Sequence, residues 1–381
     1  MSTIKVNSIK NTSTDDGGIA IDNSGHVQVD GVQLPTAGAL SSRRININGA
    51  MQVAQRSTSV TGLSSSNSVQ TVDRMFIRIA SAGTFTISQS TDAPEGFSNS
   101  LKWDCTTADS SPGAGDFAYL THRMEGQDLQ HLKKGTSSAE KTTVSFWVKS
   151  SETGTYAFRI FDNDNSRQVG LNYTINTANT WEHKTLTLPG DTSGVLDNDN
   201  NASINLFWWL VVGSNRTSGS VPTAWEASST ADEAAGMTAN IAASTSSDWY
   251  ITGLQFEVGE KATPFEHRSF SDELQKCKRY YQNAGSTHYG AVEGTTHFRL
   301  QIPLYPHMRA APTCTVRTGK KFNTRYAGDT TITTPTIADL TSSPQNIWTG
   351  VTSSGLTAGT PIYGRSQQGA DGDFLSVNAE L

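Results

Sequence analysis

The side chains best suited to binding chemistry in this sequence are tryptophans that stand among polar residues. In residues 143–149, apolar side chains occupy every second position, and Trp147 falls on the other side of that alternation, between Ser145 and Lys149. A tryptophan there either stacks on a sugar ring, through its apolar body and its N–H donor, or is covered by a neighbouring sheet or subunit. Trp147 is therefore the first candidate for glycan contact.

Three further aromatic residues stand in stretches that favour loops. Trp225 lies in the irregular run 222–226, while Tyr326 and Trp348 lie in residues 323–355, which are rich in Thr, Ser and Gly. Loops on a rigid scaffold often carry recognition residues. We therefore add Trp225, Tyr326 and Trp348 to the glycan-binding candidates.

Acidic and amide side chains cluster in two turns, residues 162–166 and 197–200. Asp162 and Asp164 are calcium candidates, because calcium prefers several hard oxygen ligands close together. The loop pattern is incomplete, since Arg167 stands at the sixth position and no glutamate at the twelfth. The alternative is a solvated turn in which each Asp bonds nearby backbone N–H groups.

The sequence contains no phosphate-binding glycine loop and no Gly-X-Ser-X-Gly motif. Glycan cleavage would need two carboxylates about 5 to 10 Å apart in a groove. Glycan-cleaving proteins built on a long parallel β-helix show a matching sequence repeat, and this sequence has none. We therefore predict no catalytic residue and no cofactor beyond the calcium considered above.

The region 46–259 predicts an antiparallel β-sandwich. It contains about ten short strand candidates separated by polar turns and almost no helical pattern. The apolar run 204–212 predicts a central strand, in which Trp208 and Trp209 face opposite sides and at least one is buried. Residues 127–134 predict a single helical turn.

Residues 248–281 contain a strand, a corner and a helix in succession. Regular alternation predicts that Tyr250, Leu254, Phe256 and Val258 share one strand face. Pro264 then interrupts both strand and helix. An amphipathic helix follows over residues 269–282, with Ser269 as its N-cap.

The two ends of the chain differ in how much core they can build. Residues 1–45 contain short strands that bury too little apolar surface to fold alone, so they form either a mobile arm or a trimeric stem. Residues 283–381 predict a small C-terminal β domain. The domain boundaries are therefore 1–45, 46–268, 269–282 and 283–381.

Composition excludes several functional classes. Charged residues make up 17% of the chain and the net charge is −6, which argues against nucleic-acid binding. The three cysteines are widely separated, as expected for assembly in a reducing cytoplasm. We expect no signal peptide, and the longest apolar run is far shorter than the ~20 residues of a membrane helix.

Four blocks of the sequence resemble bacteriophage tail-fibre and receptor-binding proteins, especially those of marine and cyanobacterial phages. These blocks are residues 48–56, 125–135, 144–150 and 251–281. The strand order within 46–268 is also similar to that of jelly-roll carbohydrate-binding modules. The resemblance covers roughly residues 46 to 282.

The resemblance implies an all-β homotrimer located in the virion. Residues 1–45 would dock to the phage tail or an adaptor protein, and the sandwich or the distal domain 283–381 would bind a host cell-surface glycan. One alternative is a structural virion scaffold that binds no receptor, and another is a glycan depolymerase. We expect neither nucleic-acid binding nor membrane insertion.

Overall fold

A computed structural model describes residues 8–10, 18–21, 27–29, 32–33, 42–284, 287–295, 297–317, 322–325, 330–332, 337–352, 361–366, 373 and 375–381. The chain divides into two compact units, Met1–Arg268 and Ser269–Leu381. Among the described residues, no helix is long and apolar enough to cross a membrane.

The N-terminal strands form a small antiparallel sheet in the order β1 (Ser8–Lys10), β2 (Gly18–Ile21), β3 (Val27–Val29) and β4 (Val32–Gln33). Direct pairing places five aliphatic side chains on one face of this sheet: Ile9, Ile19, Ile21, Val27 and Val29. All five are exposed, and Ile9 has 62% of its surface accessible. A sheet this small with a bare apolar face is not stable by itself in water.

The rest of the first unit is built from eleven strands: β5 (Ser59–Val69), β6 (Phe76–Ser90), β7 (Ser100–Thr107), β8 (Phe117–Glu125), β9 (Thr142–Ser150), β10 (Gly154–Asp162), β11 (Arg167–Ile175), β12 (Glu182–Leu188), β13 (Ala202–Val212), β14 (Glu226–Ala227) and β15 (Asp248–Val258). Two 3₁₀ turns, Gly126–Asp128 and Gln130–Leu132, occupy the stretch where one helical turn was predicted.

These strands form two layers. The first layer has the order β12-β9-β15-β7 and the second has the order β8-β13-β10-β11, so most connections cross from one layer to the other, as in a jelly roll, while β10 and β11 form a hairpin within the second layer. The long strand β6 pairs with β7 through residues 84–90 and with β8 through residues 76–80, which joins the layers. The predicted all-β jelly-roll sandwich is thereby confirmed.

Aromatic side chains fill the space between the layers. The ring of Phe146 on β9 lies 5.1 Å from that of Tyr173 and 5.8 Å from that of Trp208, both on the second layer. Trp208 is fully buried there, while Trp209 is buried on the opposite side of its sheet. The predicted central strand and the opposed tryptophans are both confirmed.

The segment that precedes β5 is fixed to the last strand of the sandwich. The Asn46 carboxamide accepts a hydrogen bond from the backbone N–H of Phe256, at 2.8 Å. The Glu266 carboxylate accepts from the backbone N–H groups of Ser42 and Arg44, at 2.6 and 2.7 Å. Residues 42–46 therefore belong structurally to the sandwich.

The second unit begins with helix α1 (Phe270–Lys278), whose N-cap Ser269 accepts a hydrogen bond from the Asp272 backbone N–H. A helix was predicted over residues 269–282; it is present but ends at Lys278, and Tyr281 begins the next strand. Ten strands follow: β16 (Tyr281–Ala284), β17 (Thr287–Val292), β18 (His297–Pro303), β19 (Thr313–Val316), β20 (Phe322–Arg325), β21 (Thr330–Ile332), β22 (Ile337–Ser342), β23 (Asn346–Thr352), β24 (Pro361–Ser366) and β25 (Leu375–Asn378).

These strands form a three-stranded sheet, β16-β25-β19, and a seven-stranded sheet, β21-β20-β24-β17-β18-β23-β22. Trp348 lies on β23, opposite Gln301 and Thr341, so its predicted position in a loop is wrong. The alternating run that contains it builds an interior strand. Tyr326 lies outside the described residues.

Candidate functional site

The outer face of the first layer carries Trp147 at its centre. Trp147 on β9 is directly opposite His183 on β12 and Thr252 on β15, and its ring lies 5.1 Å from the His183 ring. The indole is half-buried. We call this surface the Trp147 face and define it by Trp147, Trp181, His183, Lys149 and Tyr250.

Trp147 lies over Gly253, where both the backbone conformation and the lack of space require a glycine. Gly253 has a φ of +60°, and a Cβ there would lie 2.9 Å from Trp147 Cδ1 and 2.8 Å from Phe97 Cζ. Phe97 comes from the β6–β7 connection, which folds across this end of the sheet. Trp147 is thus partly packed by its own chain and partly accessible. Its position is therefore compatible with both roles considered from the sequence, glycan contact and packing.

The next row of the face combines two aromatic rings with a lysine. The Lys149 ammonium lies 4.3 Å from the Tyr250 ring centroid and 5.4 Å from that of Trp181. The two rings are 6.1 Å apart in an edge-on arrangement. Cation–π contact with both rings fixes the Lys149 side chain between them.

Asp92, in the β6–β7 connection, contacts Lys149 and Trp181 of the same row. It accepts a hydrogen bond from Trp181 Nε1 at 3.0 Å and another from Lys149 Nζ. Partial burial raises its pKa, but the hydrogen bonds from Lys149 and Trp181 outweigh that effect and hold the pKa below its usual value. Asp92 is therefore a permanently charged acceptor at neutral pH.

Tyr250 is the most buried ring of the face. Its hydroxyl donates to Asp248 Oδ2 at 3.0 Å, and Lys102 Nζ lies 5.5 Å from its ring centroid. Burial, reinforced by Asp248, raises the pKa of Tyr250 to about 12. Lys102 pairs with Asp104 at 2.8 Å and lies 4.0 Å from Asp248, so each lysine of this row has an acidic partner.

The position of Tyr250 corrects the predicted alternation. The pairing of β15 with β9 shifts between Thr252 and Gln255, because Gly253 forms a β-bulge. Leu254 and Phe256 point into the core as predicted, but Tyr250 lies on the opposite, outer face. Its predicted place beside them is wrong, because the extra residue reverses the alternation.

Trp181, Tyr250, Lys149 and Asp92 were not among the residues selected from sequence. One signal could have identified Tyr250, because a glycine inside an alternating strand often marks a bulge. Trp181 precedes β12 and Asp92 is in a connection, so their proximity follows only from the fold.

Trp225 does lie in a loop, but it is not freely exposed. Its indole N–H donates to the Pro189 carbonyl at 2.8 Å, and the Lys134 ammonium lies 4.5 Å from its ring centroid. It packs against the main core and is half-buried. The structure therefore does not bring Trp225 together with Trp147.

The turn that contains the calcium candidates is held by hydrogen bonds within the protein. Asp162 Oδ1 accepts from the backbone N–H groups of Asp164 and Asn165, at 2.9 and 3.1 Å. Asp164 Oδ2 accepts from the backbone N–H of Asp197 at 2.9 Å. These are the hydrogen bonds of an Asx turn, but the turn is not the solvated one considered from the sequence, because Asp162 is fully buried.

A lysine occupies the position where a cation would satisfy these oxygens. Lys134 Nζ pairs with Asp162 Oδ2, with Asp191 Oδ2 at 2.8 Å and with the Gly194 carbonyl at 3.0 Å. Burial opposes ionisation of Asp191, but hydrogen bonds from Arg167 and Lys134 lower its pKa to about 2. Across the described part of the chain, no group of three His, Cys, Asp or Glu side chains is arranged to hold a metal.

The sequence matches no protein-family model and no curated protein. Solved structures similar to it include the enzymatically active domain of tailspike protein 4 from bacteriophage CBA120, at 13% identity and a TM-score of 0.29. The match covers 56% of this chain but only 22% of that tailspike chain, so this protein corresponds to about a fifth of its length.

Two carbohydrate-binding modules match at comparable levels. The family 11 module of a cellulosomal cellulase from Clostridium thermocellum is 12% identical over 53% of this chain and 96% of its own, with a TM-score of 0.28. A xylan-binding domain from Paenibacillus barcinonensis is 8% identical over 55% and 100%, with a TM-score of 0.23. Similarity this low carries no argument about function, which rests on the site itself.

Proposed function

We propose that this protein binds a carbohydrate through the Trp147 face. The observation that carries the proposal is one row of the sheet, in which Trp181 and Tyr250 flank Lys149 and Asp92 bridges Trp181 to Lys149. Trp147 extends the aromatic surface by one row.

Sugars need this combination of groups. The C–H faces of a pyranose ring stack on aromatic side chains, and its hydroxyls bond charged and polar groups that are already fixed in place. Lys149 and Asp92 orient each other before any ligand arrives, which lowers the entropy cost of binding. Because both lysines beside the rings already have acidic partners, the face favours a neutral glycan.

We expect weak binding at each site. A shallow aromatic platform with few polar groups corresponds to a dissociation constant near the millimolar range, or about 4 kcal/mol. Several copies in one assembly would raise the avidity ~100-fold or more without any new contact.

We further propose that the protein is a tail-fibre subunit of a phage virion that binds a host glycan and does not cleave it. The bare aliphatic face formed by Ile9, Ile19, Ile21, Val27 and Val29 supports self-association at the N-terminus. Three copies could cover one another's faces there, as expected from the resemblance to trimeric fibres. Docking to the phage tail is proposed for the same region.

The binding proposal is tested by affinity electrophoresis of the full chain through gels that contain a neutral polysaccharide: mixed-linked β-glucan, xylan or galactan. Trp181→Ala and Tyr250→Ala should each weaken binding about tenfold, or ~1.4 kcal/mol. Phe161→Ala, on the other outer face of the sandwich, is the control. Full binding by both variants would place the site elsewhere, and no binding to any of these polymers would favour the scaffold alternative.

The assembly proposal is tested by light scattering. The full chain should have the mass of a trimer at micromolar concentration. Deleting residues 1–41 should give a folded monomer, because Ser42 and Arg44 still anchor the sandwich. A monomeric full chain would contradict the proposal.

A further inference from the structure

The outer face of the second layer is also aromatic, but its charges are different. Tyr119 on β8 is directly opposite Trp209 on β13, with ring centroids 5.0 Å apart. The Phe207 ring also lies 5.0 Å from Tyr119, and the Phe117 ring stacks on it at 5.6 Å and 7°. Phe117 and Tyr119 are half-buried, so their rings are partly accessible.

Arginines surround this aromatic floor. Arg78 on β6 is directly opposite Tyr119, and its guanidinium lies 5.8 Å from the Phe117 centroid. Arg123 on β8 stacks on Phe76 at 3.6 Å. Arg216, after β13, lies 4.3 Å from the Phe117 centroid.

Charged side chains of both signs lie near Tyr119. Arg123, Arg78 and Arg216 are positive, and Glu233 is negative. Glu233 is already shared by Arg216 and Arg159, the latter at 2.8 Å. Within the described ranges, Arg78 makes no hydrogen bond or ion pair. A guanidinium beside the most accessible rings is therefore available to an external acid.

A buried polar atom on the same face also lacks a partner. Asn205 is 6% exposed, and its side-chain oxygen accepts no hydrogen bond from the described residues. Asn205 lies between Arg123 on β8 and Phe161 on β10. Buried polar atoms normally have partners, and this oxygen is enclosed by the protein, so it adds an unsatisfied acceptor beneath the rings and is not itself open to a ligand.

We propose that this surface, defined by Arg78, Tyr119, Phe117, Arg123 and Asn205 and called the arginine face, binds an acidic polysaccharide. A guanidinium binds a carboxylate through two parallel hydrogen bonds, a geometry that a lysine cannot supply. Tyr119 and Phe117 offer the stacking surface for the ring that bears the carboxylate. The proposal does not depend on the Trp147 face, and either can fail alone.

The spacing of the arginines indicates an oligosaccharide. Arg78 is level with Tyr119, and Arg123 lies four residues further along β8. The Arg123 guanidinium stacks on Phe76, however, which is two residues from Arg78 on β6 and therefore about 7 Å away along the strand. This separation suits carboxylates on neighbouring sugars, so the ligand that uses the whole surface is a short run of uronic-acid residues.

The test compares two polymers with the same backbone. The full chain is run in affinity gels containing polygalacturonate or its fully methyl-esterified form, and also with alginate and single-stranded DNA. We expect binding to polygalacturonate or alginate that decreases with added salt, and at least tenfold weaker binding to the ester. Binding to neither acidic polymer would overturn the proposal. Equal affinity for the acid and the ester, or equally tight binding of DNA, would also overturn it.

Variants locate the binding site. Arg78→Ala should weaken polygalacturonate binding about tenfold or more, and Arg78→Lys should recover only part of the loss. Lys141→Ala removes the same charge from an exposed pair with Glu260 and should have less than about a twofold effect. Equal effects of Arg78→Ala and Lys141→Ala would contradict a specific site. Trp181→Ala should leave acidic binding unchanged, which separates this proposal from the neutral-glycan site.

Discussion

The two outer faces of the sandwich show how charge placement differentiates surfaces with similar aromatic content. On the Trp147 face, Lys149 pairs with Asp92 and Lys102 pairs with Asp104. On the arginine face, Arg159 and Arg216 share Glu233, and Arg78 has no acidic partner in the described structure. The first face therefore suits a neutral sugar and the second an acidic one.

A chain connection contributes to both faces in the same way. The β6–β7 connection brings Asp92 onto Lys149, and the long connection between β13 and β15 brings Glu233 onto Arg159. In each case an acid from a connection fixes a cation that projects from a strand. Aromatic rings beside that ion pair remain partly accessible, so the connection shapes the site without closing it.

The largest effect should follow from a change beneath Trp147. Gly253→Ala places a methyl group 2.8 to 2.9 Å from the rings of Phe97 and Trp147, in a backbone conformation with φ of +60°. Left-handed strain and overpacking together should cost about 3 kcal/mol, measured by urea unfolding. Neutral-glycan binding should weaken as Trp147 moves, while binding to the arginine face should persist.

Gly62→Ala is the matched control for backbone strain. Gly62 also has a positive φ, +71°, but open space surrounds the site of its missing Cβ. It should lose only about 1 kcal/mol and retain both binding activities. Similar losses at the two glycines would show that the contacts of Gly253 with Trp147 and Phe97 do not matter.

Gly253 also marks the point at which prediction from the sequence became wrong. Alternation correctly predicted the inward side chains of β9, and the apolar run 204–212 correctly predicted an interior strand. Local patterns are sufficient where the strand is regular. They failed for Tyr250, because a one-residue bulge at Gly253 moves it to the other face, and alternation alone does not locate a bulge.

The remaining site residues depend on contacts between distant parts of the chain. Asp92 and Trp181 are far apart in sequence, and the successive pairing of β12 with β9, β9 with β15 and β15 with β7 brings them together. Arg78 and Tyr119 likewise meet through the pairing of β6 with β8. The contact of Lys134 with the calcium candidate Asp162 could not be predicted for a similar reason, since Lys134 reaches Asp162 only in the folded chain.

The second largest effect concerns the acid that neutralises the arginine face. Glu233→Gln leaves Arg159, which is 3% exposed, without its counter-charge and should cost about 2 kcal/mol of stability. It should also strengthen polygalacturonate binding, because Arg216 is released. Glu226→Gln, at an exposed position on β14, is the charge-matched control and should change neither property. Weaker polygalacturonate binding by Glu233→Gln would contradict the assignment of this face.

A smaller effect is expected from the phenol of the Trp147 face. Tyr250→Phe removes the hydrogen bond to Asp248 and should cost about 1 kcal/mol of stability, with weaker neutral-glycan binding. Tyr156→Phe is the contrast, because the Tyr156 hydroxyl bonds Ser150 and Glu152 inside the sandwich. That variant should lose stability without losing binding. If both variants bind equally well, the Tyr250 hydroxyl does not contribute to the site.

The smallest effect on stability should come from Asp92, whose contribution is visible mainly in the pH dependence of binding. Hydrogen bonds from Lys149 and Trp181 hold its pKa below 3.8, so Asp92 stays charged as the pH falls to that value. Any stability it contributes is present above the unfolded-state pKa and is lost as the pH falls through the lower folded-state pKa.

Because Asp92 is exposed, Asp92→Asn should cost less than about 1 kcal/mol. Neutral-glycan binding by the natural protein should decline below about pH 4; because burial also lowers the pKa of His183 on this face, the decline that depends on Asp92 is the part that Asp92→Asn lacks. In Asp92→Asn it should be weaker and should not show that decline, whereas polygalacturonate binding should keep the same pH profile in both proteins. An identical decline of neutral-glycan binding at low pH in both proteins would show that Asp92 does not contribute to binding at the Trp147 face.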